Sequence, residues 1–272
     1  MLKRLLFRQG TKHPALQRLW SQLHTLTIFG MNYGGGGLIE TSGETWVLSE
    51  VIRPALENAN APVVFDVGAN VGDYALLVRR FAPAAQIYAF EPSGRTFEQL
   101  VKNVAEAGAG DSIKPVNVGF SDEEKAIELY SYTADGHEAS LLSSIDLRLP
   151  TQVVDVKVES AEQIRVQTID GFCAAEGIER IDFLKLDIEG HEMAALRGAS
   201  RMLAEGSISI IQFEFGPANI YSRTYFYDFW SLLAERYDIC RIIPKGIVPL
   251  SFYGEHQEIF LTTNYLATRK RS

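Results

Sequence analysis

The sequence predicts an α/β protein with a mostly parallel sheet covered by helices on both faces. Three observations predict it. Short, continuous apolar runs recur at residues 63–65, 87–90, 116–118, 181–186 and 208–213. Each run stops at a polar residue or a glycine: Asp66, Glu91, Gly119, Asp187 and Glu214. Amphipathic stretches separate several of them, as where Phe97, Leu100, Val101 and Val104 recur at i, i+3, i+4 and i+7. Unbroken apolar runs alternating with helices read as parallel strands buried on both faces.

The composition bounds the partners. The chain has 272 residues, 46% of them hydrophobic and 22% charged, which suits a soluble globular protein with a substantial core. Lys and Arg number 26 against 34 Asp and Glu, a net charge of −8. That balance argues against a nucleic acid held over a broad face, because phosphates need clustered cations. A small-molecule or glycan partner is expected instead, with a homo-oligomer left open. Cys173 and Cys240 form no Cys-x-x-Cys pair, so they read as two reduced, buried thiols.

Residues 1–10 are basic and apolar, with Lys3, Arg4 and Arg8 among Leu2, Leu5, Leu6 and Phe7. Lys12, His13, Gln17 and Arg18 then interrupt any leader-like apolar core. No run is long enough to cross a bilayer, so a cytoplasmic protein is expected. Transient membrane contact of the basic tip is a secondary expectation.

Residues 1–60 read as a helical lead-in or lid, and residues 61–272 as the α/β body. In the lead-in, Leu16, Leu19, Trp20, Leu23 and Leu26 recur at helical spacing. Gly34 to Gly37 form a four-glycine run suited to a loop or a close backbone approach. Thr41 and Glu44 have capping-box spacing and predict a helix to about Asn58. Residues 121–166 break the body's rhythm with extra strands near 126–130 and 153–158. The polar stretch between them, with His137 and Glu138, is a candidate acceptor-facing segment. Last strands are expected at 239–243 and 259–262. The aromatics Tyr221, Tyr225, Phe226 and Tyr227 read as core or as a sugar platform.

Chemistry concentrates at Asp66-Val-Gly68-Ala69-Asn70-Val-Gly72, between the first strand and the first body helix. Small residues there let a ligand approach the backbone at a helix N-terminus. Glu91 follows 23 residues after Gly68, at the next strand's end, where a carboxylate can accept both hydroxyls of a ribose. Three details favour a sulfonium methyl donor over NAD. Asn70 replaces the middle glycine and would crowd a diphosphate. Asp66 offers a carboxylate to a cationic amino-acid end. Asp187 and Glu214 add negative charge beside the same cleft.

These residues, with Phe90-Glu91-Pro92, Thr168-Ile-Asp170, Leu184-Lys-Leu-Asp-Ile-Glu-Gly-His-Glu192 and Arg197-Gly198-Ala199, resemble the FkbM-type methyltransferase family. The resemblance covers residues 63–215. It implies a Rossmann-like class I methyltransferase fold of seven strands, the last antiparallel, and O-methyl transfer from S-adenosylmethionine to a sugar or polyketide hydroxyl. It places Gly68, Ala69, Asn70 and Gly72 in the cofactor loop, with Asp66 at the amino-acid end and Glu91 at the ribose. Ser121 and Asp122 fall near the adenine.

A hydroxyl acceptor must lose a proton. Asp187 is the first candidate base, flanked by Lys185, and His191 is a further one. Asp187 and Glu214 could instead hold Mg²⁺. Two rivals stand beside this reading. One is an NAD-dependent sugar oxidoreductase or epimerase, disfavoured by Asn70 and by the lack of a Tyr-x-x-x-Lys pair in the body. The other is a scaffold that keeps the fold without turnover.

Overall fold

A computed structural model describes residues 14–37, 39–134, 137–144 and 156–270. The chain opens with helix α1 (Pro14–Gly30) and a short α2 (Ile39–Ser42). A broken helix follows, made of α3 (Glu44–Val47), a π-helical turn (Leu48–Ile52) and α4 (Arg53–Glu57). The alternating body then begins: β1 (Val63–Val67), α5 (Asp73–Phe81), β2 (Gln86–Phe90), α6 (Gly94–Glu106), β3 (Ile113–Val116). Next come β4 (Gly119–Phe120), β5 (Lys125–Ala134), β6 (His137–Ser144) and β7 (Val156–Gln167). The remainder is α7 (Ile169–Glu176), β8 (Ile181–Leu186), α8 (Glu192–Arg197), α9 (Ser200–Glu205), β9 (Ile208–Phe215), α10 (Ala218–Tyr221), α11 (Phe226–Leu233), β10 (Tyr237–Ile243), β11 (Gly246–Pro249) and β12 (Thr263–Arg269).

The main sheet has the order β11-β10-β12-β9-β8-β1-β2-β3. Pairs among β3, β2, β1, β8 and β9 are all parallel. β12 runs antiparallel between β9 and β10. This is the expected Rossmann-like sheet, with one strand more than the seven expected: β10 turns back through Lys245 into β11, which pairs antiparallel beside it.

Alternate side chains of each central strand feed two cores. Phe65, Phe90, Phe120, Phe172, Leu186 and Phe213 fill one face. Val64, Val78, Ile87, Leu100, Phe183 and Ile210 fill the other, joined by Val47, Leu48, Ile52 and Leu56 from the broken helix. Burial on both faces is why these strands read as unbroken apolar runs.

Some local readings fail for identifiable reasons. Thr41 does not cap α3, because its Oγ1 donates to Gly35 O. Ser42 Oγ instead accepts from the Glu44 N–H at 3.2 Å. The strand expected at 259–262 lies at Thr263–Arg269, past a 3₁₀ turn at Glu255–Gln257. The insertion folds as a second sheet, β4-β7-β5-β6, so its extra strands are longer than expected and the polar stretch contributes β6. Asp135 and Gly136 lie outside the described residues. The single helix expected across 193–203 breaks at Gly198, whose α-carbon packs against the Ser121 carbonyl with no room for a side chain. Asp170 then caps α9, accepting from the N–H groups of Arg201 and Met202 at 2.7 and 3.1 Å.

Candidate active site

The C-terminal ends of the parallel strands open into a cavity of about 550 Å³. Ligands bind at this edge of open α/β sheets, where strands end and helices begin. The loop after β1 forms its floor, with Gly68, Asn70 and Gly72 at positive φ of 85°, 49° and 95°. Gly68 is obligatory, since a Cβ there would overlap the Asp187 carbonyl. Asn70 tolerates its left-handed conformation as few other residues do.

Four of the N–H groups of this loop are already engaged. Gly68 and Ala69 both donate to Phe90 O, Asn70 donates to Glu91 Oε2, and Gly72 donates to Ala69 O. A dinucleotide site needs such amides for its diphosphate. Here acidic side chains line the cavity. Glu91 is 8% exposed and lines the cavity. Each of its oxygens accepts one backbone bond, from Asn70 N at 3.0 Å and Ser93 N at 2.9 Å. A carboxylate offers about four lone-pair sites, so two remain for a diol. Burial pushes the Glu91 carboxyl up to about 7.

A polar rung crosses the sheet below the floor. Asp66, Lys185 and Gln212 are register partners on β1, β8 and β9. Lys185 is 4% exposed, donates to Asp187 Oδ2 at 2.7 Å and lies 4.5 Å from the Tyr74 ring centroid. Burial opposes its charge, but the carboxylates of Asp187, Glu44 and Asp66 outweigh that and keep it protonated. Lys185 is therefore a fixed cation and not a base. Glu44, from the lead-in, accepts from Gln212 Nε2 at 2.8 Å and from Ser42 Oγ at 3.0 Å, and burial raises its carboxyl. Asp66 is fully buried, and neither of its oxygens has a hydrogen-bond partner at normal distance. Burial pushes it up to about 6. Three carboxyl groups around one ammonium leave a field that favours a cationic ligand and opposes a diphosphate.

The cavity gathers Gly68, Ala69, Asn70, Glu91, Lys185, Asp187, His191 and Glu214. Other expectations fall differently. Gly72 shapes the turn, with Leu100 Cδ1 2.6 Å from where its Cβ would stand. Asp66 lies behind the wall and acts through Lys185. Ser121 is fully buried and Asp122 exposed, and neither lines the cavity, whose wall there is Gly119 and Phe120. Ser121 Oγ instead lies 3.0 Å from both His191 Nε2 and Asp122 Oδ1.

The Mg²⁺ expectation does not fit. Among the described residues no three His, Cys, Asp or Glu side chains converge to hold a metal. Asp187 is engaged by an ammonium, and burial and then the acidic neighbours Asp187, Glu189 and Glu192 push the Glu214 carboxyl well up, which opposes the paired carboxylates a hard cation needs. No step is routed through a metal.

The sequence reading missed Glu44, Gln212 and Glu162. Glu44 stood out only as a capping residue. Glu162, on inserted strand β7, accepts from Ser93 Oγ and Gly94 N at 2.9 and 2.8 Å, anchoring the turn that carries Glu91. The four-glycine run reaches the cavity through Gly36 and Gly37. Gly36 sits so close to β12 that a Cβ would lie 2.8 Å from Thr262 O.

Fold, loop and carboxylate set together define a class I methyltransferase architecture. Residues 66–239 match the methyltransferase FkbM domain, and the chain belongs to that family. It is 26% identical over 148 residues to 2-O-methyltransferase NoeI of Sinorhizobium fredii, covering 53% of this chain and 60% of that protein. It is 29% identical over 171 residues to hexuronic acid methyltransferase AglP of Haloferax volcanii, covering 61% and 62%. The alignments thus span about three-fifths of those relatives. An O-methyltransferase of Bacillus cereus, solved with SAH, is 10% identical with a TM-score of 0.47 over 99% of this chain and 97% of that one.

Proposed function

We propose that the chain is an S-adenosylmethionine-dependent O-methyltransferase acting on a hydroxyl of a sugar or glycan precursor. One observation carries the cofactor reading: the amides of Gly68, Ala69, Asn70 and Gly72 are engaged internally, while buried Glu91 and the acidic group around Lys185 remain to meet a diol and a cation. The bound cofactor supplies an electrophilic methyl group on sulfur. Glu91 would hold the ribose, and Gly68, Ala69 and Asn70 would pack against the nucleoside. Asp66 would face the amino-acid end through the Lys185 rung. NoeI and AglP, both named as methyltransferases and one of them for a hexuronic acid, support a sugar acceptor.

Asp187 is our choice of base. Its side chain is 41% exposed to the cavity, and Lys185 holds one oxygen, aiming the other. Lys185 positions Asp187 through this bond and takes no proton. His191 is tied to Ser121 and would shape the acceptor wall. Alignment of the two reactants supplies the larger part of the acceleration, on the order of 7–11 kcal/mol.

The test is turnover with labelled S-adenosylmethionine and a panel of uronic acids and oligosaccharides, using wild type and Asp187→Asn. A methyl ether on a hydroxyl is expected. Asp187→Asn should cut kcat by about 10²–10⁴-fold while leaving cofactor affinity within a few-fold. Transfer to nitrogen, or full activity in Asp187→Asn, would overturn the assignment.

A further inference from the structure

Helix α1, 17 residues long, stands off the body: of its described side chains only Ile28 is half-buried and the rest are exposed. Leu16, Leu19, Leu23 and Leu26 recur at i, i+3, i+7 and i+10 and so share one face. They are 37%, 47%, 39% and 67% exposed. Arg18, Ser21 and Thr25 take the opposite side of the helical wheel together with Ile28, and Gln22 and Phe29 lie between the two. An isolated helix of this length is marginal in water, and a contiguous apolar stripe marks a surface that meets another apolar phase.

Charge selects that phase. Positions 1–39 contain Lys3, Arg4, Arg8, Lys12 and Arg18 and no Asp or Glu. The chain's net −8 therefore divides into +5 for this segment and −13 for everything after it. A leucine face on a helix that carries Arg18, follows four further basic residues in the sequence and holds no carboxylate has the chemistry of a helix lying in an anionic lipid interface. The helix is shorter and more polar than a spanning one, and no described helix is long and apolar enough to cross a membrane.

We propose that α1 docks the protein on an anionic bilayer surface, its leucine face at the acyl boundary and Arg18 among the headgroups. The helix leads directly into the Tyr33–Gly37 loop, and Gly36 and Gly37 line the cavity. Docking therefore brings the cavity rim to the bilayer.

The test is co-flotation of the full chain with phosphatidylcholine vesicles, with and without phosphatidylglycerol, at low and high salt. Binding is expected only to the phosphatidylglycerol vesicles and should weaken with salt. Leu19→Glu with Leu23→Glu should reduce it by at least about tenfold, since two carboxylates then face the lipid. Far-ultraviolet circular dichroism and light scattering on the same samples check fold and assembly. No binding to anionic vesicles, equal binding to neutral ones, or binding untouched by the paired substitution would overturn the proposal. So would a dimer that the paired substitution dissociates in the absence of any vesicle binding.

Discussion

Glu192 shows how much of the site's character comes from burying carboxyl groups. It is 1% exposed, and its Oε1 accepts from Ile188 N and Gly190 N at 3.0 and 3.1 Å, while Oε2 has no partner. Burial raises it from the usual 4.5 to about 7. Because the folded value lies above the unfolded one, its stability contribution is full below about pH 4.5 and is lost as pH rises through about 7. Glu192→Gln keeps the accepting oxygen and removes the charge. We predict that the variant gains stability relative to wild type by on the order of 2 kcal/mol between pH 5 and pH 8. Urea denaturation at the two pH values measures it, and a difference that shrinks with pH would contradict it. At this scale the sequence spoke well for Glu91 and Asp187, which end predicted strands. It was silent on Glu44 and Gln212, because their relation to Lys185 exists only once the broken helix and β9 are brought to β8.

The turn after β1 shows what a single element decides. Gly68 sits at φ 85° against the Asp187 carbonyl, while Asp187 N donates to Val67 O at 3.0 Å. That backbone approach locks the cofactor loop to the strand carrying the proposed base. Gly68→Ala must push β1 and β8 apart as well as strain the backbone. We predict a loss of at least about 2 kcal/mol in stability and of measurable S-adenosylmethionine binding. Thermal melting and titration check both, and a variant with wild-type melting and affinity would contradict the role given to this contact. Parallel strands were legible because each is apolar on both sides. β6 and β11 were not, since their sequences, HEASLLSS and GIVP, are short, mixed patterns that resemble loops. The helix broken at Gly198 was read as continuous because its apolar spacing survives the break; what interrupts it is the Ser121 carbonyl, a contact across 77 residues of sequence.

Over the whole molecule, charge and architecture point the same way. A doubly covered sheet presents one edge of strand ends, and there four amides of the loop after β1 are engaged internally while acidic side chains face the cavity. The second sheet, β4-β7-β5-β6, supports this edge: Glu162 on β7 anchors the turn after Glu91, and Leu129, Ile164 and Val166 line the same cavity. Fold class and cofactor loop were readable from the sequence, whereas the acceptor wall was not, because it is assembled from the glycine run, the insertion and the segment before β12. The most direct test of the central claim is calorimetric titration of the full chain with S-adenosylmethionine and, separately, NAD, repeated on Glu91→Ala. The account predicts saturable binding of S-adenosylmethionine, no binding of NAD, and a loss of about 10–100-fold in affinity in Glu91→Ala, as expected for hydrogen bonds to a charged acceptor. Binding of NAD in place of S-adenosylmethionine, or an affinity untouched by Glu91→Ala, would contradict it.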